Sequence, residues 1–312
     1  MQTIPCIDLD ETIDHYTNQL GYRLDMIKPA DAPREALLSK GDELIRLVLE
    51  NHPAAEAAPL LRKEGSWVKG RAGMEYRDLI PDRLGGMVIA SHIRLTKGGE
   101  VPDYVHYHKV EFQMIYCKRG RIKVVYEDQG PPFWLETGDC VMQPPEIRHR
   151  VLECTSGAEV IEVSMPAEHE TWVEHDITLP NMSIDSKREF RGQRFVRFRE
   201  TLSQAVYGAG YVRHETDIAR ASKNKISVAI ETFEDKNNNS RLRGWFAGAG
   251  VTDLVFVLQG ELEVRASKAL PSSFEDGQRF AASDCIVLPQ RTAFTFDWSP
   301  DLKLLTIRLS ID

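Results

Sequence analysis

Gly99-Glu-Val-Pro-Asp-Tyr-Val-His106-Tyr-His108-Lys-Val-Glu111-Phe-Gln113, running on to Gly120, forms with Gly138-Asp-Cys-Val-Met-Gln-Pro144-Pro-Glu-Ile-Arg-His149 the stretch around which this chain is organised. Side chains alternate faces along a strand, so a His-x-His pair in a β-rich run carries both imidazoles on one face. His149 follows a proline-containing turn and is placed to complete the set from a neighbouring strand. With nine histidines in the chain, chance scatter is the plain alternative. The His-x-His spacing, the flanking glycines and the second half-motif argue against it. The expectation is a metal site on His106, His108 and His149.

These residues resemble the two characteristic motifs of the cupin superfamily. The first family motif has a glycine, His-x-His, a glutamate and a second glycine; Gly99, His106, His108 and Gly120 fit it. The second has a glycine, a proline, a glycine and a histidine; Gly138, Pro144 and His149 fit it. Gln113 stands where the family has its glutamate, and Glu146 where it has the second-motif glycine. The resemblance implies a jelly-roll barrel holding a divalent metal, with Gln113 as a weak, neutral fourth ligand.

The texture beyond residue 65 agrees with that architecture. Short alternating runs at 87–95, 112–117, 121–126, 140–143 and 160–163 are punctuated by turns such as Lys97-Gly-Gly, Lys118-Arg-Gly and Asp128-Gln-Gly-Pro-Pro. Many short strands with regular turns indicate an antiparallel barrel.

An internal repeat doubles it. Phe112-Gln-Met-Ile-Tyr-Cys-Lys-Arg-Gly120 matches Thr252-Asp-Leu-Val-Phe-Val-Leu-Gln-Gly260, and Asp139-Cys-Val-Met-Gln-Pro144 matches Asp284-Cys-Ile-Val-Leu-Pro289. Ala72-Gly-Met-Glu-Tyr-Arg-Asp78 echoes the segment from Ala209 to Asp217, and the offsets stay between 137 and 145 residues. Carried across the repeat, His106, His108, Gln113 and His149 fall opposite Phe246, Gly248, Asp253 and Phe294. The copy keeps scaffold residues and lacks the histidines, so the sequence predicts two tandem cupin barrels, a bicupin, with the second free of metal ligands.

The expected division is a βαβββ unit at 1–50, an Ala/Pro-rich linker at 51–65, the metal-binding barrel at 66–166, a connector at 167–207 and the degenerate barrel at 208–312. In the first unit, Asp10 caps a predicted helix over 11–19 on which Ile13, Tyr16 and Leu20 share a face, and Gly21 ends it. This unit resembles half of a glyoxalase/bleomycin-resistance (vicinal oxygen chelate) module. Only one half is present, which suits docking or homodimerisation. His15 and His52 read as ordinary polar residues, and His169 and His175 in the acidic connector as solvated ones. The arginines at 188, 191, 194, 197 and 199 read as partners for acidic neighbours.

A net charge of −8 argues against nucleic acid or an anionic membrane surface as partner. No apolar run approaches the length of a membrane span, and the start carries no signal pattern. The five cysteines lie mostly in strand-like runs, as reduced buried thiols of a cytoplasmic protein do. The partner is then a small-molecule substrate.

Three neutral imidazoles suit Fe, Mn, Ni, Cu or Zn and leave positions open for substrate and dioxygen. Glu111 shares parity with Gln113 on a regular strand, which makes it a candidate carboxylate base. Tyr104, Tyr107, Phe133 and Trp134 are candidates for an aromatic wall, and His92 for a lining residue. Bicupins with one intact site resemble non-haem Fe(II) dioxygenases that cleave aromatic, hydroxylated or diketone substrates, and the expectation is an oxidoreductase of that kind. The alternatives are an isomerase or hydrolase with Glu111 as base, or a non-catalytic binding cupin.

Overall fold

Two seven-stranded sheets pack face to face at the centre of the molecule, and each is one wall of a barrel. The structure is a computed structural model that describes residues 1–30, 33–50, 61–62, 67–70, 73–80, 83–181, 183–208, 210–234, 243–246, 250–266, 277–288, 290 and 293–310. The strand Phe112–Arg119 pairs antiparallel with Cys140–Gln143 on one side and Ala158–Met165 on the other. Its copy, Val251–Gln259, pairs in the same way with Cys285–Leu288 and Lys303–Ser310.

Alternation along these strands divides the core. Phe112, Met114 and Tyr116 meet Leu254, Phe256, Leu305 and Ile307 between the barrels. Ile115 and Cys117 face into the first barrel, and Val255 and Val257 into the second. Both inter-barrel faces are therefore largely apolar, with His92 and Arg77 as buried polar exceptions, which removes them from water and fixes the two units back to back.

The repeated residues serve the scaffold. Gly120 (φ +70°) and Gly260 (φ +77°) turn equivalent hairpins in the left-handed region. A Cβ there would lie 2.4 Å from Thr155 Oγ1 and 2.5 Å from Ser299 Oγ, respectively. Asp139 Oδ2 accepts the Glu136 amide at 3.2 Å, and Asp284 Oδ2 accepts that of Ala281 at 2.8 Å. Glu146 adopts φ +63° where the motif has glycine, so the turn keeps its shape with a side chain that costs more strain there.

The start of the chain follows the order β, α, β, β, β: Gln2–Cys6, Leu9–Asp14, Arg23–Lys28, Glu35–Lys40 and Glu43–Leu49. The cap differs from expectation. Asp8 caps the helix, its Oδ1 accepting the Glu11 amide at 2.9 Å, and the helix passes at His15 into a π-turn ending at Gln19. The wider π-turn rotates Leu20 out of the predicted face, and it is 40% exposed.

These strands do not stand apart from the first barrel. One ten-stranded sheet runs from Gln2–Cys6 through Arg23–Lys28, Thr171–Val173 and His106–His108 to His149–Cys154 and Arg121–Tyr126. The segment 167–207 thus supplies strands: Thr171–Val173 to this sheet, and Val196–Phe198 to the edge of Cys140–Gln143. The stretches 51–60 and 63–65 of the predicted linker lie outside the described residues, while Leu61–Arg62 pairs with Cys285–Leu288 of the second barrel. His52 and Gly248 also lie outside them. All five cysteines are buried and none is disulfide-bonded. Burial raises the Cys117 and Cys285 thiols to about 12. No helix among the described residues is long and apolar enough to cross a membrane.

Candidate metal centre

His106, His108 and His149 converge inside the first barrel. His106 sits directly opposite His149 in antiparallel register, and side-chain alternation brings His108 to the same face as His106. The ring centroids lie 5.1 Å (106–108), 4.3 Å (106–149) and 5.1 Å (108–149) apart. One potential ligand atom from each falls within 4.8 Å of the others.

Hydrogen bonds select the tautomer. His106 Nδ1 donates to Tyr104 O at 2.8 Å, and His149 Nδ1 to Ile147 O at 2.9 Å. A carbonyl only accepts, so both Nδ1 atoms carry a proton, which leaves Nε2 as the ligand atom on each ring. His108 Nδ1 meets Thr171 Oγ1 at 2.8 Å, which anchors its outer nitrogen on a hydroxyl that can donate or accept. His108 is held well below the ordinary histidine range by burial and then by the neighbouring imidazoles. For His149, burial and then His106 act in the same direction. Imidazoles with their outer nitrogens anchored are a prepared ligand set for a divalent metal.

Asp103 secures the loop before the histidine strand. Its Oδ2 accepts the Val151 amide at 2.8 Å, and its Oδ1 lies 3.5 Å from His106 Nδ1. Nothing in the sequence pattern singled it out. The same is true of Thr171, whose role depends on a strand that reads as connector.

Gln113 faces inward beside its register partner Gln143, and each is 1% exposed. Gln113 Oε1 and both polar atoms of Gln143 have no hydrogen-bond partner. A buried amide left open in this way calls for a cation, a water or a ligand group. These side chains and the triad line one cavity of about 210 Å³, whose walls are mostly Ile, Leu, Val and Met with Tyr76, Tyr104 and Tyr126.

Several predicted roles are corrected. Glu111 does not enter the barrel: it occupies a bend just before the strand begins at Phe112, so the parity argument fails there. Its carboxylate is exposed and pairs with Lys225 Nζ at 2.6 Å. The carboxylate that does line the cavity is Glu162, on the strand beside Gln113. His169 is not solvated; it is 3% exposed, donates from Nδ1 to Pro166 O at 2.9 Å and sets its ring 5.5 Å from that of His108. His175 is exposed, as expected, and lies 3.3 Å from Asp25. His92 faces the second barrel, bonded to Glu159 at 2.9 Å with its ring 5.7 Å from Phe256.

Of the aromatic wall, only Tyr104 lines the cavity. Tyr107 lies under Arg148 and Trp134 under Arg121, both with cations 4.3 Å from the ring. Phe133 packs behind Tyr126. Three arginines of the basic run pair with acidic residues, Arg188 with Glu127 and Asp128, Arg191 with Glu146, Arg194 with Glu189, while Arg197 donates to Trp134 O and lies over Phe133. In the second barrel, Phe294 fills the position opposite His149, and Asp253 is held by Arg308 at 2.7 and 2.9 Å.

Comparison with known proteins agrees with this architecture. Residues 91–164 match the cupin domain family. Comparison with curated proteins finds no match. Among solved structures, a tryptophan-to-phenylalanine variant of Bacillus subtilis oxalate decarboxylase is similar with a TM-score of 0.56 and 14% identity, covering 79% of this chain and 75% of that one. The Bacillus subtilis enzyme at pH 4.6 is similar with a TM-score of 0.54 and 14% identity, covering 77% and 72%. At that identity the likeness speaks for fold alone. The family match does not reach the N-terminal unit and leaves its glyoxalase-like resemblance unsupported. Residues 91–164 carry a cupin domain, and the chain as a whole has the fold of two tandem cupin barrels.

Proposed function

We propose that this protein is a metal-dependent enzyme whose first barrel holds a divalent transition metal, and more specifically a non-haem Fe(II) dioxygenase acting on a small aromatic, hydroxylated or diketone substrate. The observation that carries the reading is the triad of converging imidazoles, two buried and one half-buried, opening on an apolar cavity. His106, His108 and His149 would hold the metal through Nε2, and Gln113 Oε1 offers a neutral fourth contact. Such a metal supplies positions open to substrate oxygens and dioxygen. The chain supplies the rest. Its apolar walls exclude water and seat the body of the substrate, and Thr171, Tyr104 O and Ile147 O fix the imidazoles. Mn, Ni, Cu and Zn suit the same donors.

Glu162 favours a second reading, in which the metal acts as a Lewis acid and this carboxylate moves a proton without oxygen chemistry. Two measurements decide. Protein purified without chelators is expected to hold one transition metal per chain, lost in His106→Ala; metal content unchanged in that variant would sink the site. Oxygen uptake with catechols, diketones and hydroxy acids under Fe(II) is then expected, whereas full turnover under strict anoxia would select the Lewis-acid reading.

A further inference from the structure

The unit at 1–50 has no role in holding the triad, yet its second strand runs into the wall of the cavity. Ile27 and Ala30 line it, the only contribution from that unit among the described residues. Register shows how they arrive there. Thr171 pairs with His108 on one side and with Ile27 on the other. Directly opposed residues of antiparallel strands project on the same face. Ile27, Thr171 and His108 therefore form one row, with Ile27 two strand spacings, about 10 Å, from the histidine.

The wall is backed by packing. Ile27 is 5% exposed and belongs to the N-terminal core with Ile13, Leu38 and Leu47. Arg34 pairs with Glu168, and His175 lies 3.3 Å from Asp25, so polar contacts also tie this unit to the strand that supports His108. Close packing makes such a boundary resist displacement.

We infer that the N-terminal unit is the specificity wall of the metal-site cavity, with Ile27 and Ala30 limiting the apolar body of the bound molecule. This rests on the reading of the first barrel as a ligand-binding metal centre. A cavity of about 210 Å³ fits one substituted ring or an aliphatic chelator of that size, given that an apolar cavity of about 150 Å³ takes benzene. The ligand class is a compact oxygen chelator with an apolar body, directed with its oxygens to the triad and its body to Ile27.

The test uses the full chain loaded with Co(II), with binding read by absorption for azide and by calorimetry for catechol and 4-tert-butylcatechol. Azide is too small to reach the wall and reports the metal centre alone. Ile27→Ala is expected to strengthen 4-tert-butylcatechol relative to catechol by about tenfold, and Ala30→Phe to weaken it by a similar factor. Azide affinity stays within about twofold in both. Ala30 is half-buried in the bend that follows the strand, so its variant keeps the test open where Ile27→Ala disturbs folding. An unchanged ratio of the two catechols in both variants overturns the wall, as does failure of every form to bind either catechol. A silent azide titration with a shifted catechol ratio overturns the metal reading and leaves the wall standing.

Discussion

The two barrels share a scaffold and differ at the same inward positions. In the first, Gln113 and Gln143 leave three buried polar atoms without partners, Glu162 faces a cavity, and His149 joins the triad. In the second, register places Asp253, Leu288, Thr306 and Phe294 at those positions. Asp253 is bonded twice to Arg308, its register partner, and Thr306 Oγ1 donates to Ala229 O at 3.2 Å. Phe233, Phe280, Phe294 and Phe296 fill the interior. An open buried polar atom costs about 1–3 kcal/mol. A barrel that only has to fold removes such atoms, and at these positions the second barrel bonds Asp253 and Thr306 within itself. The first keeps them open, as a site must when its partner comes from outside.

The sharpest way to break this contrast is to open the second barrel. Arg308→Leu leaves the Asp253 carboxylate, 2% exposed, without its bidentate partner. Loss of one partner from a buried pair is strongly destabilising; because Arg308 is half exposed, about 3 kcal/mol is expected. Chemical denaturation measures it. A change under about 0.5 kcal/mol would show that the second barrel's interior is as wet as a surface.

The triad and the tandem fold were legible in the sequence because they rest on spacing. His-x-His needs only strand periodicity, and the doubled Gly120 and Gly260 need only a tight hairpin. The unmatched residues depend on pairings between distant strands. Thr171 acts on His108 from a segment that reads as connector, and Ile27 reaches the cavity through Thr171. Glu162 sits in an ordinary strand, and its inward direction follows from register with Phe112–Arg119. Glu111 misled because parity was extended one residue past the start of its strand, into a bend where its exposed carboxylate pairs with Lys225.

A milder test makes the first barrel resemble the second. Gln143→Leu installs the residue of position 288 and removes two open polar atoms. The metal-free chain is expected to gain about 1 kcal/mol, since an apolar group of similar size replaces an unsatisfied amide. A loss of 1 kcal/mol or more in the denaturation midpoint would mean that Gln143 is bonded in solution, for example to ordered water.

The smallest effect separates the barrels through pH. His92, in the interface, corresponds by register to Ile230 of the second barrel. Burial holds His92 below the ordinary histidine range, with Lys118 and Arg77 acting in the same direction and the Glu159 hydrogen bond opposing them. Glu159 is in turn held down to about 2, first by its bond to His92 and also by Lys118. The folded chain resists protonating His92, whereas the unfolded chain accepts the proton near pH 6.5. Its contribution is therefore complete above about pH 6.5 and is lost as pH falls through the folded value. Glu159 contributes fully above about pH 4.3 and loses that contribution toward its depressed value. His92→Leu removes the first dependence and weakens the second, so the stability of the variant should decline less steeply than that of the parent chain in both windows. Denaturation midpoints across pH 7 to 4 read the two slopes. Parallel slopes would mean that His92 reaches water, and that the interface is no drier at His92 than an exposed strand.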